Sequence, residues 1–225
     1  AADLDADGRV DLFVTTGSQP IAAVSLQAED GFPPASMVFL DGAQQHAVLA
    51  SLNGDALMDF VGVGFSDGEW NLQSYLQGPA GSFTRLSDVS LGNLNAIGLE
   101  LADLDEDGDL DALTSLQRTD SVVVMLNQGG GAFGAPVTYG VGDYPWGPTT
   151  GDFDGDGDLD VATPDSSYYF FSVLLGNGDG TFQPRFELPA SGYPAWAGVA
   201  DRSGAGALAL LGAPGPAARR APRGP

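Results

Sequence analysis

Apolar residues in this chain come in short runs, and the gaps between them are filled with Gly, Asp, Asn and Pro. Such runs suit β-strands, and no stretch carries the three- and four-residue apolar spacing of an amphipathic helix. The pattern is clearest in the middle of the chain. A strand ending near Ala102 leads into an acidic loop, a strand over Leu110–Leu116, a polar link over Gln117–Asp120 and an apolar strand over Val122–Leu126. The turn Gln128–Gly131 then leads to a strand from Phe133 to Tyr139. The next stretch copies this order with Leu159–Thr163, Phe170–Leu175, the turn Asn177–Gly180 and a strand from Phe182. Asn-Gly and Asp-Gly tolerate positive φ and mark tight hairpins. The third strand of each set is apolar at consecutive positions, as expected of a strand buried on both faces. The pattern predicts four-stranded antiparallel sheets, each sandwiched between its neighbours.

The acidic loops set the period. DLDADGRVD starts at Asp3, DLDEDGDLD at Asp103 and DFDGDGDLD at Asp152; worn copies start at Ser51 (SLNGDALMD) and Asp201 (DRSGAGALA). The spacing stays near 49 residues, which matches the roughly 40–50 residues of a propeller blade.

These loops also carry a chemistry. Positions 1, 3, 5 and 9 are Asp3, Asp5, Asp7 and Asp11 in the first copy, Asp103, Asp105, Asp107 and Asp111 in the third, and Asp152, Asp154, Asp156 and Asp160 in the fourth. Four carboxylates this close repel one another unless a cation joins them. Calcium takes six to eight oxygens in flexible geometry, and the Gly at position 6 allows the sharp turn a wrapping loop needs. Position 7 (Arg9, Asp109, Asp158) would offer its backbone carbonyl. The apolar position 8 (Val10, Leu110, Leu159) is expected to pin the loop to the core. A single copy would also read as a solvated acidic turn; three copies in register argue against that. Position 12 is Val14, Thr114 and Thr163 rather than the Glu of an EF-hand. Magnesium, with its stricter octahedron, is the weaker candidate. Zinc lacks its ligands, since there is no Cys and only His46. The second loop keeps Asn53, Asp55 and Asp59 and predicts a weak site or none. The fifth keeps only Asp201 and is expected to be empty.

Charge narrows the partners. Thirty acidic residues against eight basic ones, all Arg, give a net charge of −22. That disfavours nucleic acid and anionic membrane surfaces. No apolar run is long enough to cross a membrane as a helix. Hydrophobic content of 43% still places the chain among globular proteins. The stretch Ala213–Pro225, rich in Pro, Ala and Arg, reads as a disordered tail, leaving 1–212 for the repeats. The absence of an initiator Met and a start almost inside a loop suggest a piece of a longer protein.

Antiparallel order divides the turns between two ends of each sheet. The acidic loops share an end with the Asn177–Gly180 type of turn. The other end carries Trp70, Tyr144, Trp146, Tyr168, Tyr193 and Trp196. Aromatics with a polar tip suit recognition of a protein or glycan; the alternative is that they pack the crossovers between sheets. Catalytic material is thin: His46 is the only imidazole, and Glu69, Glu100 and Glu187 have no evident partner in the sequence.

The DxDxDGxxD loops, the Phe133-Gly134 pair, the GNGDGTF run over Gly176–Phe182 and the Gly-x-x-Pro segments that follow resemble FG-GAP repeats, also called VCBS repeats. These build the propeller of integrin α subunits and many bacterial surface proteins. The resemblance covers the chain to about Leu211. It implies an all-β β-propeller, or part of one, of four-stranded antiparallel blades, with four full repeats and a partial fifth. It further implies Ca2+ in the loops, ligand contact on the opposite face, and a secreted or cell-surface binding and adhesion module without catalysis. A carbohydrate-binding or accessory propeller of a secreted polysaccharide-active enzyme is the alternative. Such propellers usually close with seven blades, so this chain is either a part of one or a smaller ring.

Overall fold

The computed structural model describes residues 3–4, 7–15, 21–29, 31, 34, 36–40, 43–55, 57–78, 82–166, 169–190, 194–201 and 208–214. Every regular element among them is a strand. The first sheet holds β1 (Leu12–Thr15), β2 (Ile21–Ser25) and β3 (Ser36–Phe39). Three four-stranded sheets follow. They are β4 (Ala43–Ala50) to β7 (Phe83–Gly92) through β5 (Asp59–Ser66) and β6 (Glu69–Gln77), then β8 (Ala96–Ala102) to β11 (Val137–Gly140) through β9 (Asp111–Leu116) and β10 (Ser121–Met125). The third runs from β12 (Thr149–Gly151) to β15 (Phe186–Pro189) through β13 (Asp160–Asp165) and β14 (Phe170–Leu174). A last pair joins β16 (Pro194–Asp201) to β17 (Leu208–Pro214). Each sheet is an antiparallel meander in chain order, as the blades of a propeller are.

Sandwiching explains the unbroken apolar strands. Val123 and Met125 of β10 join Leu52, Val61, Val63 and Leu72 in the core between the second and third sheets. Their neighbours Val122 and Val124 join Ala102, Leu104, Val161 and Leu174 between the third and fourth. Side chains alternate across a strand, and here both sides find a core. A third cluster, between the first and second sheets, stacks Phe60 on Tyr75 with ring centroids 4.8 Å apart and sets Phe13 beside Phe60 at 5.1 Å.

The fourth strands begin later than the sequence suggests. Phe133 and Phe182 form isolated bridges with Asn127 and Gly176, and the strands proper start at Val137 and Phe186. Pro136 and Pro184 intervene and have no N–H for a ladder. The fifth repeat contributes a second strand, β17, which carries regular structure to Pro214, two residues past the expected end of the repeats; residues 215–225 lie outside the described ones.

Candidate functional site

The acidic loops are built by their own side chains. The position 1 carboxylate accepts the N–H of position 6: Gly8 to Asp3 at 2.8 Å, Gly108 to Asp103 at 3.1 Å and Gly157 to Asp152 at 3.2 Å. Position 3 accepts the N–H of position 5, as Asp107 to Asp105 at 3.3 Å and Asp156 to Asp154 at 3.2 Å. Position 5 accepts the N–H of position 7, as Asp109 to Asp107 at 2.8 Å and Asp158 to Asp156 at 2.9 Å. Asp103, Asp105, Asp107, Asp154 and Asp156 each fold the loop through one oxygen, whereas Asp3 and Asp152 accept backbone N–H groups on both, from Asp7 and Gly8 and from Gly155 and Gly157. The turn at position 6 has φ of 86° at Gly8, 92° at Gly108 and 105° at Gly157, a conformation that only glycine adopts cheaply.

Position 9 does something different. Asp11, Asp59, Asp111 and Asp160 are all buried. In each, one oxygen accepts the N–H of position 2: Leu4 at 2.6 Å, Leu52 at 2.9 Å, Leu104 at 2.9 Å and Phe153 at 2.6 Å. The other oxygen accepts an N–H from the far end of the third strand: Gln27 at 2.6 Å, Gln77 at 2.9 Å, Asn127 at 2.8 Å and Gly176 at 2.8 Å. This aspartate ties loop to strand in every described copy, including the worn second one. Burial pushes the Asp111 carboxyl up to about 6, against the pull of its two backbone donors, and raises Asp160 in the same direction.

The hydrophobic pin holds at position 8 in two of the three full loops, where Leu110 and Leu159 pack against the cores on either side of the third sheet, and position 2 adds another. Val10, at position 8, is 55% exposed, whereas the position 2 leucines Leu4, Leu52 and Leu104 are buried. The next sheet covers each of them. Gln77 donates to the Leu4 carbonyl at 2.5 Å, the turn at Gly131 lies on Leu52, and Gly180 donates its N–H to the Leu104 carbonyl at 2.9 Å. The signal was present, since position 2 is apolar in all three full loops. These contacts also set the acidic loops and the hairpin turns at one end of the sheets, as antiparallel order requires.

The four described loops differ in their fit to a cation. Asp103, Asp105 and Asp111 bring carboxylate oxygens within 4.8 Å of one another, as do Asp152, Asp154 and Asp156. Asp103 Oδ1 is buried and accepts no hydrogen bond, an acceptor set for a hard cation. Burial, followed by the charges of Asp107 and Asp103, raises the Asp105 carboxyl. In the second loop the Asn53 amide donates to Asp55 Oδ2 at 2.9 Å, so a side-chain N–H stands beside the acid. In the first, the Arg9 guanidinium pairs with Asp7 and donates to the Gln27 carbonyl. Asp5 and the segment 202–207 of the fifth loop lie outside the described residues.

At the opposite end the aromatics separate. Trp70 is only 6% exposed and belongs to the core between the second and third sheets, 6.0 Å from Phe65. It is therefore not a surface contact residue, because its place on β6 points it into the sandwich. Tyr144 is 59% and Trp146 39% exposed. The backbone of Trp146 is fixed by both neighbouring sheets, accepting from Ser115 and Thr163 Oγ atoms at 2.7 and 2.8 Å. Tyr168, Tyr193 and the side chain of Trp196 lie outside the described residues. The three glutamates all have partners: Ser90 donates to Glu69 at 2.6 Å, Thr150 to Glu100 at 2.6 Å and Arg185 to Glu187 at 2.9 Å.

Comparison with known proteins agrees with this architecture. A lectin from Agrocybe aegerita, described for specific recognition of non-reducing terminal N-acetylglucosamine, superposes with a TM-score of 0.60 at 23% identity. That match covers 94% of this chain and 58% of the lectin. BBS1N, solved in complex with ARL6DN, gives a TM-score of 0.52 at 13% identity, over 88% of this chain and 61% of that one. The chain thus spans about three-fifths of the length of either structure. These likenesses show the β-propeller fold. No curated protein sequence matches significantly. Residues 52–114 and 115–163 match the FG-GAP-like repeat. By that match, and by the loops it repeats on either side, the chain belongs to the FG-GAP-like repeat family.

Proposed function

We propose that this chain is a calcium-stabilised, non-catalytic binding module of a secreted or cell-surface protein, presenting a ligand face opposite its acidic loops. The observation that carries the reading is the buried, unbonded Asp103 Oδ1 within the convergent Asp103, Asp105 and Asp111 set. The third and fourth loops would hold the ions, through Asp103, Asp105 and Asp111 and through Asp152, Asp154 and Asp156. Calcium there supplies charge neutralisation and a rigid corner, not chemistry. Arg9 and Asn53 make the first and second loops weaker sites, because each already sets a donor against the acid that an ion would need.

Extracellular modules bind calcium at roughly 10⁻⁴–10⁻³ M, an affinity that suits secretion and not a cytosol. The ligand is a protein or a glycan. Exposed Tyr144 and Trp146 support either, and the fold likeness to a lectin supports the second. The partnered state of Glu69, Glu100 and Glu187 supports a non-catalytic role.

A thermal melt from chelator to about 1 mM calcium tests this. With a dissociation constant near 0.1 mM, two sites add about 3 kcal/mol, a rise of about 6–12 °C for a chain of this size. Asp103→Asn should halve the rise, and magnesium should give little of it. No calcium-dependent shift would remove the proposal.

A further inference from the structure

On the face opposite the acidic loops, a cavity of about 230 Å³ opens between the third and fourth sheets, lined by Gly142, Asp143, Asp165, Phe170, Arg185 and Glu187. Asp165 is 2% exposed. Its Oδ2 accepts from Ser172 at 2.9 Å, while its Oδ1 is buried with no hydrogen-bond partner. Gly142 lets the chain pass against this carboxylate, since a Cβ there would stand 2.2 Å from Oδ2. Asp143 enters the wall because Tyr144 turns back with a φ of 55° and donates its N–H to Asp120 at 3.0 Å. A bulky residue holds that conformation only when its surroundings fix it.

We infer that this cavity binds an organic cation, an alkylammonium or guanidinium group such as a Lys or Arg side chain of a partner carries. The buried Asp165 Oδ1 requires a donor. Of the four charged groups in the wall, Arg185 pairs with Glu187 at 2.9 Å and also lends its charge to Asp165, so one cation stands against three carboxylates and the wall keeps a net negative charge. An anion is excluded by that balance. A bare metal ion is excluded by spacing: among the described residues, only the acidic loops bring three carboxylate oxygens within 4.8 Å of one another. Phe170 adds an aromatic wall, which attracts a cation and also packs its alkyl stem. The net charge of −22 would steer such a ligand in.

This inference rests on the binding-module reading and names its ligand chemistry. The test titrates agmatine and n-butylammonium into the calcium-loaded protein, with N-acetylglucosamine as the neutral arm, following the amide signals of Gly142 and Asp143 by NMR. The cations should give saturable shifts that weaken with salt. Asp165→Asn keeps the Ser172 bond and should weaken the cations about tenfold or more. Arg185→Gln should strengthen them, whereas a site using Arg185 as a donor would be weakened. Melts confirm that both variants fold. Saturable shifts by the saccharide alone, no shift with any probe, or weaker cation binding in Arg185→Gln would overturn the inference. Because calcium stabilisation is read first on the same sample, failure here leaves the module reading standing.

Discussion

The aspartate at position 9 separates two tasks that a calcium-loop reading runs together. The backbone bonds of positions 1, 3 and 5 stay within the loop, but position 9 divides its oxygens, one to the loop and one to the end of a distant strand. In the second loop, with Ser51 at position 1, Asp59 still makes both bonds, to Leu52 and Gln77. Its role there is to satisfy two buried N–H groups. Asp59→Ala strands both, and each buried unsatisfied donor costs about 1–3 kcal/mol, so urea unfolding should show a loss of about 2–6 kcal/mol. The loss should be the same in calcium and in chelator. Asp55→Ala, whose partner Leu57 N–H sits in an exposed turn, should cost under about 1 kcal/mol. If Asp59→Ala matters only with calcium present, the position is a ligand and not a tie. None of this was legible from one loop. The sequence shows which positions are acidic, but the strand end that meets Asp59 lies 18 residues away, and only the fold brings it there.

At the scale of the element, strand existence was legible and strand ends were not. The apolar third strands announced double burial, and β10 is buried along its whole length. The fourth strands were read too early because Phe133 and Phe182 look like strand residues, while Pro136 and Pro184 delay the ladder. Trp70 was misread for a similar reason: its neighbours Asp67 and Gly68 signal a turn, but register on β6 turns the indole inward. The sandwich makes a prediction that an ordinary two-layer sheet does not. Val122 and Val123 are adjacent, point to opposite sides and sit in different cores. Each change to Ala should therefore cost a similar amount, about 1.5–3 kcal/mol, and because the cores differ the two should add. Val137, half exposed on β11, should lose under about 0.5 kcal/mol on the same change. Denaturant midpoints of the single and double variants check this. An asymmetric pair would mean that one face of β10 is open to solvent.

At the scale of the molecule, charge is the dominant asymmetry. Thirty acids face eight arginines, and the acids are not spread evenly: the third and fourth loops gather theirs where ion sites are proposed. Repulsion within a loop acts over a few ångströms, and repulsion between loops acts over longer distances. Salt screens the second far better than the first, since the Debye length is about 10 Å at 0.1 M and about 3 Å at 1 M. Calcium acts on both, because an ion seated between carboxylates cancels charge at its source. Salt should therefore raise the melting temperature in chelator, and more weakly once calcium is bound. Calcium should still stabilise the protein at about 0.5 M NaCl, where diffuse screening is nearly complete. A melt matrix of sodium chloride against calcium, with Asp103→Asn and Asp152→Asn combined, separates the terms. In the double variant the salt dependence should remain and the calcium dependence should fall away. If high salt abolishes the effect of calcium in the unmodified protein, the ions act as a diffuse atmosphere over an acidic surface and the loops are turns without sites.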